Sequence, residues 1–337
     1  MKVDAGLLGL ADLGTVGATA RALEAQGFDG LVSAEIDSDP FLPLALAAEH
    51  TRRIELMTSI AVAFARNPMT VAQIGNDLQA FSRGRFVLGL GSQIRPHVTK
   101  RFSMPWSAPA ARMREFVLAM RAIWACWYQG EKLDFRGDHY SHTLMTPMFV
   151  PRNNPYGPPR VVLAAVGPRM TEVVGEVGDG MLVHAFTTER YLREVTLPAL
   201  ERGLARSGRA RRDVELCYPA FVVTGNDERE WEAMRLATAR QIGFYGSTPA
   251  YRGVLEVHGW GELQGELNRL SKRGEWQTMG ERITDEVLEA FAIVAPPDRV
   301  VSALAARFGP LVDRVLCGFT FVAEAERAKY VEALRSA

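Results

Sequence analysis

The sequence predicts a single (β/α)8 barrel with insertions, spanning residues 1–337. Two observations carry this reading. Short β-rich segments alternate with helical patterns from one end of the chain to the other, and eight such segments are each followed by a helix. Parallel neighbours need helical crossovers, and eight of them close into a barrel. The rival is a doubly wound open sheet. No Gly-x-Gly-x-x-Gly opens a helix after the first strand, which counts against that rival.

Val3–Leu7 reads as the first strand, and Val16–Gln26 as a helix closed by Gly27, a residue that stops helices readily. Gly30–Ser33 is the second strand, Pro43–His50 a short helix and Ile54–Thr58 the third strand. Thr70–Phe81 reads as a helix with Pro68 just ahead of it, and Arg85–Leu90 as the fourth strand. A long connection, Gln93–Pro109, precedes the amphipathic helix Ala110–Trp127. Residues 130–159 are rich in Pro, Asn and aromatics and read as an irregular insertion. The alternation then resumes with strand Arg160–Ala165, helix Arg169–Val177, strand Met181–Val183 and helix Glu189–Arg206. Val214–Val223 is the seventh strand and Glu228–Ile242 its helix. A further irregular insertion, 243–280, leads to helices at Asp285–Ala290 and Asp298–Phe308. Asp313–Cys317 is the eighth strand and Ala323–Leu334 the last helix.

Composition narrows the function. Hydrophobic residues make up 47% and charged residues 23%, the profile of a soluble globular chain. Lys+Arg and Asp+Glu each number 39, so no net charge favours nucleic acid or an anionic membrane as partner. The start, Met1-Lys2-Val3-Asp4, lacks signal-peptide features, and no apolar run is long enough to span a bilayer. Cys126, Cys217 and Cys317 lie far apart in apolar sequence and read as reduced core residues. Together these features lead us to expect a cytoplasmic protein that acts on small molecules.

In a barrel, chemistry collects where the strands end. Glu35 follows strand two, where a carboxylate serves the pocket mouth or a structural salt bridge. Gly89-Leu90-Gly91 ends strand four and allows either the close approach of a flat ring or a tight turn. His97 lies beside Lys100 and Arg101, as a catalytic or anion-binding group or as solvated surface. After strand five, Gly167-Pro168 opens a helix. Its free N–H groups and positive dipole end suit a phosphate, with Arg169, Thr187 and Thr188 as further donors. An ordinary loop-to-helix turn is the alternative. His139 and His142 have no metal-like partners in sequence, and no metal site is expected.

The stretches Phe28-Asp29-Gly30 to Glu35, Thr58-Ser59-Ile60 to Arg66-Asn67-Pro68, and Phe81-Ser82-Arg83-Gly84-Arg85-Phe86-Val87-Leu88-Gly89-Leu90-Gly91 carry a likeness. So do Val161–Pro168 and Val177-Gly178-Asp179-Gly180. In this order they resemble the bacterial luciferase-like superfamily over nearly the whole chain. Asp39–Pro43, Arg101–Trp106 and Tyr245–Tyr251 are similar to signatures of its branch of coenzyme F420-dependent oxidoreductases.

The resemblance implies a TIM-like barrel, a homodimer, and a flavin or deazaflavin whose phosphate lies near Ala165, Val166, Gly167, Pro168, Arg169, Thr187 and Thr188. It implies a non-prolyl, often cis, peptide at Ser59–Ile60 under the ring, with Ala61, Gly91 and Ser92 alongside. Many relatives carry an acidic residue followed by His at the end of strand two. Here Glu35 is kept and Ile36 stands in place of the His, which leaves Glu35 and His97 as the candidates for proton handling.

The expected activity is hydride transfer between coenzyme F420 and a small, largely apolar organic substrate, in a cavity lined by Phe64, Trp106, Phe149, Phe186 and Tyr245. One alternative is a two-component monooxygenase that uses reduced FMN, with a separate flavin or F420 reductase as partner. The other is a non-catalytic flavin-binding protein.

Overall fold

The computed structural model describes residues 1–7, 12–151 and 154–337. Eight parallel strands form a closed ring: β1 (Lys2–Gly6), β2 (Gly30–Ser33), β3 (Glu55–Thr58), β4 (Phe86–Gly91), β5 (Arg160–Ala165), β6 (Gly180–Val183), β7 (Glu215–Pro219) and β8 (Arg314–Leu316). Each pairs with the next in chain order. Lys2 opposite Arg314 joins β1 to β8, and Leu56 opposite Phe86 joins β3 to β4. The expected barrel is therefore the observed one.

Along each strand, side chains alternate between two cores, as the strand period of two requires. Leu31, Leu56, Leu88, Val161, Met181 and Leu216 face outward and pack beneath the helices. Their neighbours Val32, Met57, Val87, Val162, Leu182 and Cys217 form a separate interior layer. Below that layer, the inward positions at the strand starts are charged. Arg314 contacts Asp4 at 2.6 Å, Glu55 at 2.6 Å and Glu215 at 3.0 Å. Arg160 bridges Glu55 at 2.6 Å and Glu215 at 2.9 Å, and Lys2 reaches Glu215 at 2.9 Å. Three cations thus meet three carboxylates across the bottom of the barrel.

The helices follow their sequence signals. Asn67 accepts from Thr70 N and caps the helix Pro68–Phe81, two residues longer at its start than expected. The helix Pro109–Gln129 ends at Gly130 with φ 71°, the left-handed conformation that glycine adopts at least cost. The stretch read as one helix over Glu189–Arg206 is interrupted by a π-helical turn, Leu192–Thr196, just before Pro198. A proline cannot supply an in-helix N–H, and the wider turn accommodates that loss.

Two readings need correction. The seventh strand does not continue to Val223. It ends at Pro219, and Phe221–Val223 pairs instead with Ala292–Val294 in a small parallel sheet outside the ring. Nor are residues 243–280 irregular. The helix Glu228–Gly246 overruns the expected end, and Arg252–Glu256, Gly261–Arg273 and Trp276–Glu281 follow it as helices. Leu255, Leu267, Met279 and Phe291 form a second apolar cluster with Phe186 and Tyr191 of the segment after β6. The insertion is thereby fixed over one side of the barrel mouth. No described helix is long and apolar enough to cross a membrane.

Candidate active site at the barrel mouth

At the end of β2, Glu35 is held rather than free. Its Oε2 accepts from Val62 N at 2.7 Å and from the Arg66 guanidinium at 2.6 Å, and its side chain is 8% exposed. Arg66 also reaches Asp39 at 3.3 Å. Glu35 N donates to Ile60 O at 3.1 Å. Of the two readings open at Glu35, these contacts match the structural salt bridge. The carboxylate braces the segment just after the Ser59–Ile60 peptide, which is cis, as the resemblance implies.

Gly89 and Gly91 do make close approaches, but to protein. A Cβ on Gly89 would lie 1.7 Å from Thr58 O, and one on Gly91 would lie 2.8 Å from the tip of Ile60. Thr58 Oγ1 donates to Gly89 O and accepts from Gly89 N, both at 2.8 Å. The glycines therefore let β3 and its terminal segment close onto β4, with Thr58 and Ile60 filling the space where their side chains would stand. Ser59 N donates to Ser33 O at 2.7 Å, and Ala61 pairs opposite Leu90, so Ser59, Ile60 and Ala61 are fixed between β2 and β4. Ser92 Oγ donates to Gln93 O at 3.2 Å.

The turn after β5 keeps the features that suit a phosphate. Ala165 pairs opposite Val183, so the loops after β5 and β6 are neighbours. No side chain caps the helix Pro168–Val177 at Gly167, and a Cβ there would meet nothing within 4 Å. Arg169 is exposed beside it. Tyr191 donates its hydroxyl to Val166 O at 3.2 Å and steadies the turn.

The two threonines differ. Thr188 Oγ1 accepts from Tyr191 N at 3.1 Å and lies 2.8 Å from His258 Nε2, so it is occupied as a helix cap. Thr187 Oγ1 is buried with no partner among the described residues. A buried hydroxyl left unsatisfied costs about 1–3 kcal/mol, and a bound oxyanion relieves that cost. The residues present thus fit a phosphate-bearing cofactor.

The structure separates the remaining candidates. His97 opens a π-helical turn, His97–Arg101, and is exposed, and its ring makes no hydrogen bond among the described residues. Phe149 is 65% exposed and lies in an outer loop, so it does not line an enclosed cavity. Phe64 is fully buried beneath Trp106 at 6.1 Å and the Arg112 guanidinium at 4.4 Å. Phe186 is equally buried, stacked on Phe291 at 4.5 Å. These two are packing residues. Tyr245 packs edge-on against the His184 imidazole at 4.7 Å.

His184 was not among the expected site residues. It sits directly after β6, two positions beyond the inward-facing Leu182, so strand parity alone directs it to the barrel interior. Burial without a charged partner pushes its imidazole down to about 4, well below the ordinary histidine value of about 6.5. The native state therefore binds fewer protons at this ring than the unfolded chain does between those two values. His184 costs stability as pH falls from about 6.5 toward 4, by up to about 1.4 kcal/mol per pH unit. We expect His184→Gln to flatten the rise of stability with pH across this window. Parallel urea titrations at pH 4.5 and 7 check this, and identical pH slopes in variant and wild type refute it.

Known proteins share this architecture. A family model described as luciferase-like monooxygenase matches residues 2–314. An uncharacterized protein of Mycobacterium tuberculosis is 61% identical over 297 residues, covering 88% of this chain and 87% of that one. A putative coenzyme F420-dependent oxidoreductase of the same organism is 28% identical over 298 residues, covering 84% of each. Among solved structures, the coenzyme F420-dependent tetrahydromethanopterin reductase of Methanopyrus kandleri superposes with a TM-score of 0.78 at 21% identity, over 99% of this chain and 96% of that one, a likeness of fold.

Proposed function

Since the chain belongs to the luciferase-like monooxygenase family, we propose that this oxidoreductase transfers hydride between coenzyme F420 and a small, largely apolar organic substrate. The observation that carries the cofactor half is the Thr187 hydroxyl, buried with no partner among the described residues, in the loop after β6 that neighbours the one opening the helix at Gly167. The relative named for coenzyme F420, matched over 84% of both chains, supports the choice of deazaflavin over FMN. When bound, the deazaflavin supplies the hydride chemistry.

The protein's own residues do the rest. The N–H groups of the first turn after Gly167, with Thr187, hold the phosphate, and Arg169 adds a positive charge at the rim. Glu35, through Val62 N and Arg66, holds the β3 terminal segment in place under the ring. His184, Tyr245 and Tyr251 present one polar ring among aromatic walls, which suits an uncharged substrate.

Fluorescence titration of the purified protein with coenzyme F420 and with FMN tests the reading. Coenzyme F420 is expected to bind the more tightly. Thr187→Val, nearly isosteric, is expected to weaken it about tenfold, the loss of one charge-assisted hydrogen bond. Thr188→Val is expected to lower stability through its helix cap and to leave affinity within twofold. Tighter FMN binding would move the chain to the monooxygenase alternative, and wild-type affinity in Thr187→Val would place the phosphate elsewhere.

A further inference from the structure

The geometry points to His184 Nε2–H as the hydrogen-bond donor to the oxygen of an uncharged carbonyl or alcohol substrate seated against Tyr245 and Tyr251. Three features fix the ring in that role. Phe186 N donates to His184 Nδ1 at 3.0 Å, so Nδ1 is an acceptor and the proton of the neutral ring resides on Nε2. The donor itself is immobile, because Phe186 is fully buried and stacked on Phe291 in the second apolar cluster. The ring lies 4.7 Å from Tyr245 and 4.8 Å from Tyr251, while Nε2 meets no acceptor among the described residues and the residue remains partly exposed.

Substrate class follows from the surroundings. No carboxylate among the described residues contacts the ring, and burial alone holds it neutral. A substrate anion would pull the ring toward its charged form and would itself be desolvated between two tyrosines, whereas a neutral oxygen needs only a donor. Neutral imidazoles polarise carbonyls in this way in other barrel enzymes. The residue also answers a gap in the sequence: Ile36 occupies the position where a histidine was expected, and it is 63% exposed.

In the reducing direction, which rests on the function proposed above, a bound reduced deazaflavin would supply hydride to the carbonyl carbon. Nε2–H would hold the oxygen as the C=O π pair moves onto it, and a solvent proton would complete the alcohol. His184 keeps its own proton throughout, because Nδ1 stays bound to Phe186 N–H. Removing a single donor aimed at developing charge lowers turnover by about 10²–10³-fold.

The test is long-range ¹H–¹⁵N NMR of the histidine rings, with cyclohexanone as probe. We expect His184 to resonate as the neutral Nε2–H tautomer from pH 5 to 8 and its Nε2 to shift as cyclohexanone is added. In His184→Phe, cyclohexanone affinity read by saturation transfer should fall at least fivefold, while coenzyme F420 affinity stays within twofold. An Nδ1–H tautomer, an imidazolium at pH 6.5, or undiminished cyclohexanone binding in the variant would overturn the assignment. Should His184→Phe fail to fold, the tautomer and the probe shift in the wild type decide the matter. Failure of the wild type to bind coenzyme F420 would end the proposed function while leaving the NMR result standing, so the two are separable.

Discussion

Arg314→Met is expected to lower the urea midpoint by the equivalent of about 3–5 kcal/mol at pH 7, because it strands the buried Asp4, which has no other cationic partner among the described residues, and leaves Glu55 and Glu215 to Arg160 and Lys2 alone. Arg314 is 1% exposed and is the hub of the network with Asp4, Glu55 and Glu215. The barrel is built around this hub. A Cβ on Gly30 would lie 2.4 Å from Asp4 Oδ1 and 2.9 Å from Arg314 Nη2, so the ion pair occupies the space beside that glycine.

The carboxylates respond differently to the arginine. Burial pushes Asp4 up to about 6 even beside Arg314, so Asp4 costs stability as pH rises from about 4 through 6. Burial also opposes ionisation of Glu215, but Arg314 and Lys2 hold it down to about 2, so its contribution is present above about 4.3 and lost as pH falls toward 2. Removing Arg314 leaves Asp4 and Glu215 readier to take a proton. The gap between variant and wild type should therefore narrow from pH 7 to pH 5. A gap of under 1 kcal/mol at pH 7, or one that widens in acid, would show that the network is not what holds the barrel floor.

How much of this was legible in the sequence depends on which signal carried it. The eight strands and their order were, because strand and helix patterns alternate and each strand segment is short and apolar. The break after Pro219 was not. Phe221-Val222-Val223 continues the β-rich pattern, and only a partner at Ala292–Val294, about seventy residues away in sequence, takes it out of the ring. The helices within 243–280 were obscured by Gly, Trp and charged residues that weaken periodicity, while their burial against Phe186 is a tertiary fact.

At the candidate site, the helix-opening turn at Val166–Arg169 was readable from Gly-Pro at a helix start. The choice between Thr187 and Thr188 was not, since it depends on Tyr191 N and His258. His97 drew attention through its basic neighbours and turned out exposed. His184 was missed although strand parity pointed to it: Leu182 faces inward, and the residue two positions later must do the same. The charged floor was equally hidden, because Lys2, Glu55, Arg160 and Arg314 at strand starts look like solvent-facing ends until the ring closes over them.

Gly89→Ala is expected to be the most damaging single-methyl change near the mouth, whereas Gly91→Ala, two residues on, should be mild. The difference lies in what each new methyl meets. At Gly89 the methyl would fall 1.7 Å from Thr58 O and 2.9 Å from Thr58 C, which are backbone atoms, with Leu182 at 3.0 Å behind them. Thr58 cannot withdraw without breaking the two 2.8 Å bonds that its hydroxyl exchanges with Gly89 itself. Overpacking in a rigid interior costs about 1–3 kcal/mol even where side chains can yield, and here none can, so we expect a loss above that range. At Gly91 the clash is with Ile60 Cδ1 at 2.8 Å, the end of a side chain, and a rotamer change absorbs it at about 1 kcal/mol. Ile60→Val removes that terminal carbon, so the Gly91→Ala/Ile60→Val pair should be more stable than the sum of its parts, whereas Ile60→Val should do nothing for Gly89→Ala. Urea titrations of the five variants supply both comparisons. Equal losses for the two glycines, or rescue of Gly89→Ala by Ile60→Val, would mean that Ile60 rather than the Thr58 backbone sets the spacing between β3 and β4, and that the barrel mouth at this point is softer than these contacts imply.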